Sequence, residues 1–199
     1  MLGVWHTSRK ESPRDYAQKN TTSYIERDEQ EREEFRETLN KLPNHIEIFY
    51  ADESGFNEYY FRTHGYAHRS RRVSIKVRGK RAGRTSVVGA INANNELVAG
   101  FAFKGYMNGD LFCGWLEHIF IPSLKDPSNS ALIIDNASHH PKDAIQAIAD
   151  EYGLIVIFLP KYSPDLNPIE KYWANIKNWL RLHFDKYDNF WDGFISGFG

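Results

Sequence analysis

A chain of 199 residues with 41% hydrophobic residues, five Trp and thirteen Phe can fill the core of one compact domain with an appended arm, which excludes a disordered protein. Its net charge of -1 is far from the strongly basic balance of a simple nucleic-acid binder. The single cysteine, Cys113, excludes an internal disulfide and a cysteine-rich zinc site and reads as a small buried apolar residue. No apolar run nears the ~18 residues that span a bilayer, so a soluble intracellular protein with no membrane partner is expected.

Residues 1–24 are polar, carry Arg9, Lys10, Arg14 and Lys19, and read as an arm. From Tyr24 to Leu42 the charges alternate in sign around a thin stripe of Phe35, Leu39 and Leu42. This predicts an amphipathic helix whose charges, Arg32 among them, are solvated. Ile46 to Ala51 is short and apolar, a buried strand with Asp52-Glu53-Ser54-Gly55 leaving it. Arg62 to Arg84 then holds nine Lys or Arg and no acid. Strands Thr85 to Ala93 and Leu97 to Lys104 follow, joined by a tight hairpin at Asn94-Asn95.

Leu111, Trp115, Ile119 and Phe120 recur at helical spacing, and Pro122 stops that helix. Ala131 to Ile134 is a continuous apolar strand, Pro141 to Tyr152 a helix, and Leu154 to Leu159 another strand; such alternation implies parallel pairing. A last long helix begins at Asn167 with Ile169, Tyr172, Trp173, Ile176, Trp179 and Leu180 on one face. After it, Phe184, Tyr187, Trp191, Phe194 and Phe198 suggest a short aromatic helix, a piece of core or a docking face, weakened by Gly193 and Gly197.

Three acids sit at the ends of these elements: Asp52 and Asp135 close apolar strands, and Glu170 lies at the start of the last helix. If the two strands pair side by side, their carboxylates emerge together at one sheet edge, where open sheets place ligands. Mg²⁺ and Mn²⁺ need a few rigidly placed carboxylates, and two such ions can drive in-line attack on a phosphodiester. Each acid also has a plainer use. Asp52 competes with Glu53 beside it, Asp135 fits a turn leading into Asn136, and Asn167-Pro168-Ile169-Glu170 has the pattern of a capping box. Lys177 and Arg181 share the Glu170 side of the helix and suit phosphate contacts.

Arg69, Arg71, Arg72, Lys76, Arg78, Lys80, Arg81 and Arg84 form the electrostatic footprint expected for DNA. Tyr59, Tyr60, Phe61 and Tyr66 just before them suit base stacking or core packing. His139 and His140 are adjacent rather than spaced as zinc ligands and read as loop residues, with phosphate contact as the alternative. No glycine-rich phosphate loop is present, which disfavours a kinase or ATPase.

Tyr50-Ala51-Asp52-Glu53-Ser54-Gly55-Phe56, Ile134-Asp135-Asn136-Ala137-Ser138 and the block from Leu159-Pro160-Lys161-Tyr162 through Ser163-Pro164-Asp165-Leu166-Asn167-Pro168-Ile169-Glu170 together resemble the three catalytic blocks of IS630 and Tc1/mariner superfamily transposases. The resemblance runs in the right order over residues 46–182. It implies an α/β fold, a ribonuclease H-like mixed sheet with flanking helices, in which Asp52, Asp135 and Glu170 bind Mg²⁺ or Mn²⁺, as two ions. Asn136 and Asn167 would support them. The implied activity is metal-dependent phosphodiester hydrolysis and strand transfer at element ends. Implied partners are terminal inverted repeats, target DNA and a second copy of the chain as a homodimer on DNA. The implied location is a prokaryotic cytoplasm, at the nucleoid.

On this reading residues 1–44 form the arm and amphipathic helix, 45–183 the catalytic domain and 184–199 an aromatic tail. Family members usually carry helix-turn-helix domains ahead of the catalytic domain, where this chain has a short arm, so a separately encoded N-terminal DNA-binding half is expected. The alternative is a catalytically inactive remnant that regulates by binding DNA or a partner. Gly65-Tyr66-Ala67-His68 also departs from the family, which often has Trp and Pro there.

Overall fold

A computed structural model of the chain describes residues 26–60, 83–137 and 140–198. The expected N-terminal arm, most of the basic segment, Tyr66, Ser138 and His139 lie outside the described residues. Five strands form one mixed sheet in the order β3-β2-β1-β4-β5. Strand β1 (Glu47–Asn57) is central; β2 (Arg84–Ile91) and β3 (Leu97–Lys104) extend from it as antiparallel neighbours. On its other side β4 (Ser130–Ile134) and β5 (Ile155–Phe158) pair in parallel. This is the α/β architecture expected from strand, hairpin and then alternating helix and strand.

Every residue of β4 is buried, as both faces of a parallel strand are covered by helices. One face packs Phe49, Val88, Ala90, Leu132 and Ile134 against the helical stretch of α2 (Gly109–Trp115), a π-helical turn (Leu116–Phe120) and α3 (Ile121–Ser123), and against α4 (Lys142–Tyr152). The other face is covered by α5 (Pro168–His183) and α6 (Phe190–Ser196) over β1 and β2, and by α1 (Glu29–Lys41) over β4 and β5. Residues alternate along β1, so Phe49 and Ala51 join the first core while Phe56 joins the second.

Several elements differ from their expected bounds for identifiable reasons. Helix α1 starts at Glu29, not Tyr24, because the Asp28 carboxylate accepts from the Gln30 and Glu31 amides at 2.8 and 3.3 Å. Its Arg32 is not solvated but 1% exposed. Strand β1 runs six residues beyond Ala51, since Asp52 to Asn57 pair antiparallel with Gly89 to Arg84. The hairpin loop is wider than Asn94-Asn95, with the Asn92 side chain accepting from the amides of Asn94 and Glu96. Pro122 lies inside α3 rather than ending the helix before it; a proline ring crowds the preceding turn, and the π-helical turn just ahead is wide enough to accommodate it. Asn167 flanks α5 as expected but makes no side-chain cap.

Candidate active site

The parallel pairing of β1 with β4 ends at Tyr50↔Ile133, and Asp52 and Asp135 each lie two residues beyond that pair. The register therefore sets them side by side. Asp135 follows the last residue of β4, whereas Asp52 lies within β1 and is held opposite Gly89 of β2. Glu170 is the third residue of α5, whose buried stripe of Ile169, Trp173, Ile176 and Leu180 presses the helix onto the sheet. Trp173 meets Phe56 edge to face at 6.0 Å, which fixes the helix over the strand that carries Asp52. The Asn167 Nδ2 donates to the Ala51 carbonyl at 3.2 Å and stitches the start of α5 to the residue before Asp52.

Asp52, Asp135 and Glu170 line one cleft of about 510 Å³, together with Asn136, Tyr162 and Asn167. Tyr162 holds the left-handed conformation, φ 55°, on the cleft wall. Burial, and then the neighbouring Glu170, push the Asp52 carboxyl up to about 8; Asp135 and Glu53 add to the rise and a backbone hydrogen bond at Glu53 opposes it. Negative charge is thus crowded around a half-enclosed carboxylate. On the far side of Asp135, His140 Nε2 lies 2.7 Å from Oδ1, with its side chain only 7% exposed and its ring 4.4 Å from that of Phe112. The Asn136 Oδ1 accepts from Lys142 Nζ, so its carbonyl is engaged within its own loop.

Residues 47–190 match the family described as DDE superfamily endonuclease. The chain belongs to that family. Its structure is similar to a Mos1 transposase paired-end complex with left transposon end (TM-score 0.59, 17% identity, covering 93% of this chain and 64% of that one). It is also similar to the Mos1 strand transfer complex (0.61, 19%, 92% and 63%) and to a Mos1 mariner paired-end complex with Mn (0.60, 17%, 92% and 64%). At these identities the likeness establishes the fold, the mixed sheet with flanking helices of the transposase core. This DDE-family chain spans about 64% of the length of the first of those transposase chains. No curated protein sequence matches it significantly.

Of the basic residues expected to meet DNA in this DDE-family chain, Arg84, Lys177 and Arg181 are described, and they gather near the acids. Arg84, the first residue of β2, lies across Gly55, where an added Cβ would meet its guanidinium. It lines a smaller cavity of about 270 Å³ with Glu53, Asp135, Phe112 and His140. Lys177 rests 5.4 Å over the Phe56 ring. Burial holds its ammonium below the ordinary value, Glu170 and Asp52 raise it, and Arg181 and Arg84 lower it, so the four charges share one neighbourhood with Lys177. Arg69, Arg71, Arg72, Lys76, Arg78, Lys80 and Arg81 lie outside the described residues.

Lys142 is a contact that the sequence pattern did not single out. His140 reads in the sequence as a loop residue, with phosphate contact as the alternative, and only the fold shows its ring against Asp135. No helix among the described residues is long and apolar enough to cross a membrane.

Proposed function

We propose that this chain is the catalytic domain of a DNA transposase that cleaves phosphodiesters at element ends and joins the freed 3′-hydroxyl to target DNA. The observation that carries the reading is the convergence of Asp52, Asp135 and Glu170, from β1, the end of β4 and the first turn of α5, on one cleft.

The donor set suits a hard divalent cation, Mg²⁺ or Mn²⁺, held as one or a pair of ions. Among the described residues no three His, Cys, Asp or Glu close a shell by themselves. Mg²⁺ does not require one, since it keeps several waters and takes one or two carboxylates with substrate phosphates. Asn167 Oδ1 is buried without a hydrogen-bond partner and belongs to a residue of the cleft wall, an acceptor available to the site. Bound there, divalent cations would supply Lewis-acid activation of the attacking oxygen and stabilise the leaving one. Asp52, Asp135 and Glu170 hold them, and His140 fixes the orientation of Asp135. Asn167 keeps Glu170 close to Asp52 through Ala51, and Asn136 and Lys142 brace the loop after Asp135. Arg84, Lys177 and Arg181 draw the DNA backbone toward the acids, and the basic stretch from Arg69 to Arg81 extends that track.

The active unit is a pair of copies on DNA. Purified chain, a pre-cleaved oligonucleotide carrying the repeat that flanks its gene, and Mn²⁺ should give joined products that Asp135→Ala abolishes. Equal joining by the variant would remove the assignment.

A further inference from the structure

Arg32 precedes the stretch 47–190 that matches the family, yet it is one of the most deeply buried charged side chains described. Its guanidinium crosses 133 positions to Asp165, Nη1 donating to Oδ1 at 3.0 Å and Nη2 to Oδ2 at 2.7 Å. Arg32 Nε also lies 3.4 Å from Glu29 Oε2. Asp165 belongs to the 3-10 turn Pro164–Leu166, between the cleft-lining residues Ser163 and Asn167. Leu166 packs in the same cluster as Phe35 and Leu39, so α1 grips the turn at a second point. At the other end of the turn, Asn167 is tied to Ala51 of β1. The segment that delivers Glu170 is therefore clamped between a helix outside the family match and the strand that carries Asp52.

We infer that Arg32 is a positioning residue that fixes the turn Pro164–Leu166 so that Glu170 meets Asp52 and Asp135 in the cleft. The inference rests on reading that cleft as the phosphodiester-cleaving site. A bidentate fork is planar and directional, and a lysine cannot reproduce it. Burying an ion pair adds little net stability over apolar side chains of like volume, so a guanidinium buried beneath a half-exposed carboxylate is better placed for geometry than for stability. The Arg32 hydrogen bonds hold the Asp165 carboxyl below its ordinary range, which keeps the acceptor ionised.

The test uses the full chain with Arg32→Met, Arg32→Lys and Asp165→Asn. Arg32→Met should speed amide exchange at residues 163–170 about tenfold while β1 and β2 keep their protection. Its Mn²⁺-dependent cleavage should lose at least about tenfold in kcat at unchanged KM for DNA, with Arg32→Lys recovering part of the loss. Should Arg32→Met fail to fold, Asp165→Asn, which alters the half-exposed partner, is measured in the same way. Exchange is read without activity, so a chain that cleaves no DNA would end the functional reading and leave the tether still decided. Wild-type exchange at 163–170 with wild-type kcat overturns the inference. So does a uniform rise in exchange across the chain with kcat restored on cooling.

Discussion

Asp52 is the residue whose environment says most about the site. Its folded pKa of about 8 lies above the ordinary carboxylate value. Between those values the folded side chain keeps a proton that the unfolded chain has released. Stability of the metal-free protein therefore falls as pH rises through that window. Asp52→Asn removes the titration and should gain on the wild type from about pH 5 to about pH 8, by on the order of 4 kcal/mol at the upper end. Urea unfolding across that range checks it, and a constant difference would contradict it. Lys177 gives a second residue-level expectation: Lys177→Met should weaken DNA binding and reduce the slope of log affinity against log salt by about one. Fluorescence anisotropy over a salt series measures both.

The acids were readable as residues because each adjoins an apolar run. Their surroundings were not. Arg32 sat in a run of alternating charge and looked solvated; it is buried because Asp165 is brought over it by contacts far apart in sequence. His140 read as a loop residue, and its burial comes from contacts with Asp135, five positions back, and with the Phe112 ring.

At the scale of elements, β1 shows where pattern stops and pairing begins. Its apolar half was evident, but Asp52 to Asn57 are strand only because β2 supplies partners. Asn167 carried the signature of a helix cap, yet its amide is spent on Ala51 and makes no side-chain cap. Helix α5 is anchored chiefly by Trp173, 1% exposed between Phe56 and the aromatic residues that end the chain. Trp173→Ala should cost about 3–5 kcal/mol, against about 0.5–1.5 kcal/mol for Ile176→Val in the same stripe. Equilibrium unfolding measures both, and a small loss at Trp173 would mean that α5 is held elsewhere.

For the whole molecule, the order of elements was legible because the two halves of the sheet use different connections, a hairpin between β2 and β3 and helices between the parallel strands. The near-zero net charge was uninformative, since it averages the acid-free basic run from Arg62 to Arg84 with acids elsewhere in the sequence. Added Mn²⁺ should raise the melting temperature of the wild type by binding only the folded chain, and that gain should shrink in Asp52→Asn.

The central claim is that the three carboxylates act together on one phosphodiester. It is tested most directly by measuring cleavage of a repeat-end duplex against Mn²⁺ concentration for the wild type, Asp52→Asn, Asp135→Asn and Glu170→Gln. The expected result is saturable, metal-dependent cleavage in the wild type and loss of at least about a thousandfold, more than 4 kcal/mol of barrier, in each variant with its fold intact. Cleavage that ignores the metal, or that survives replacement of any one of the three acids, would contradict it.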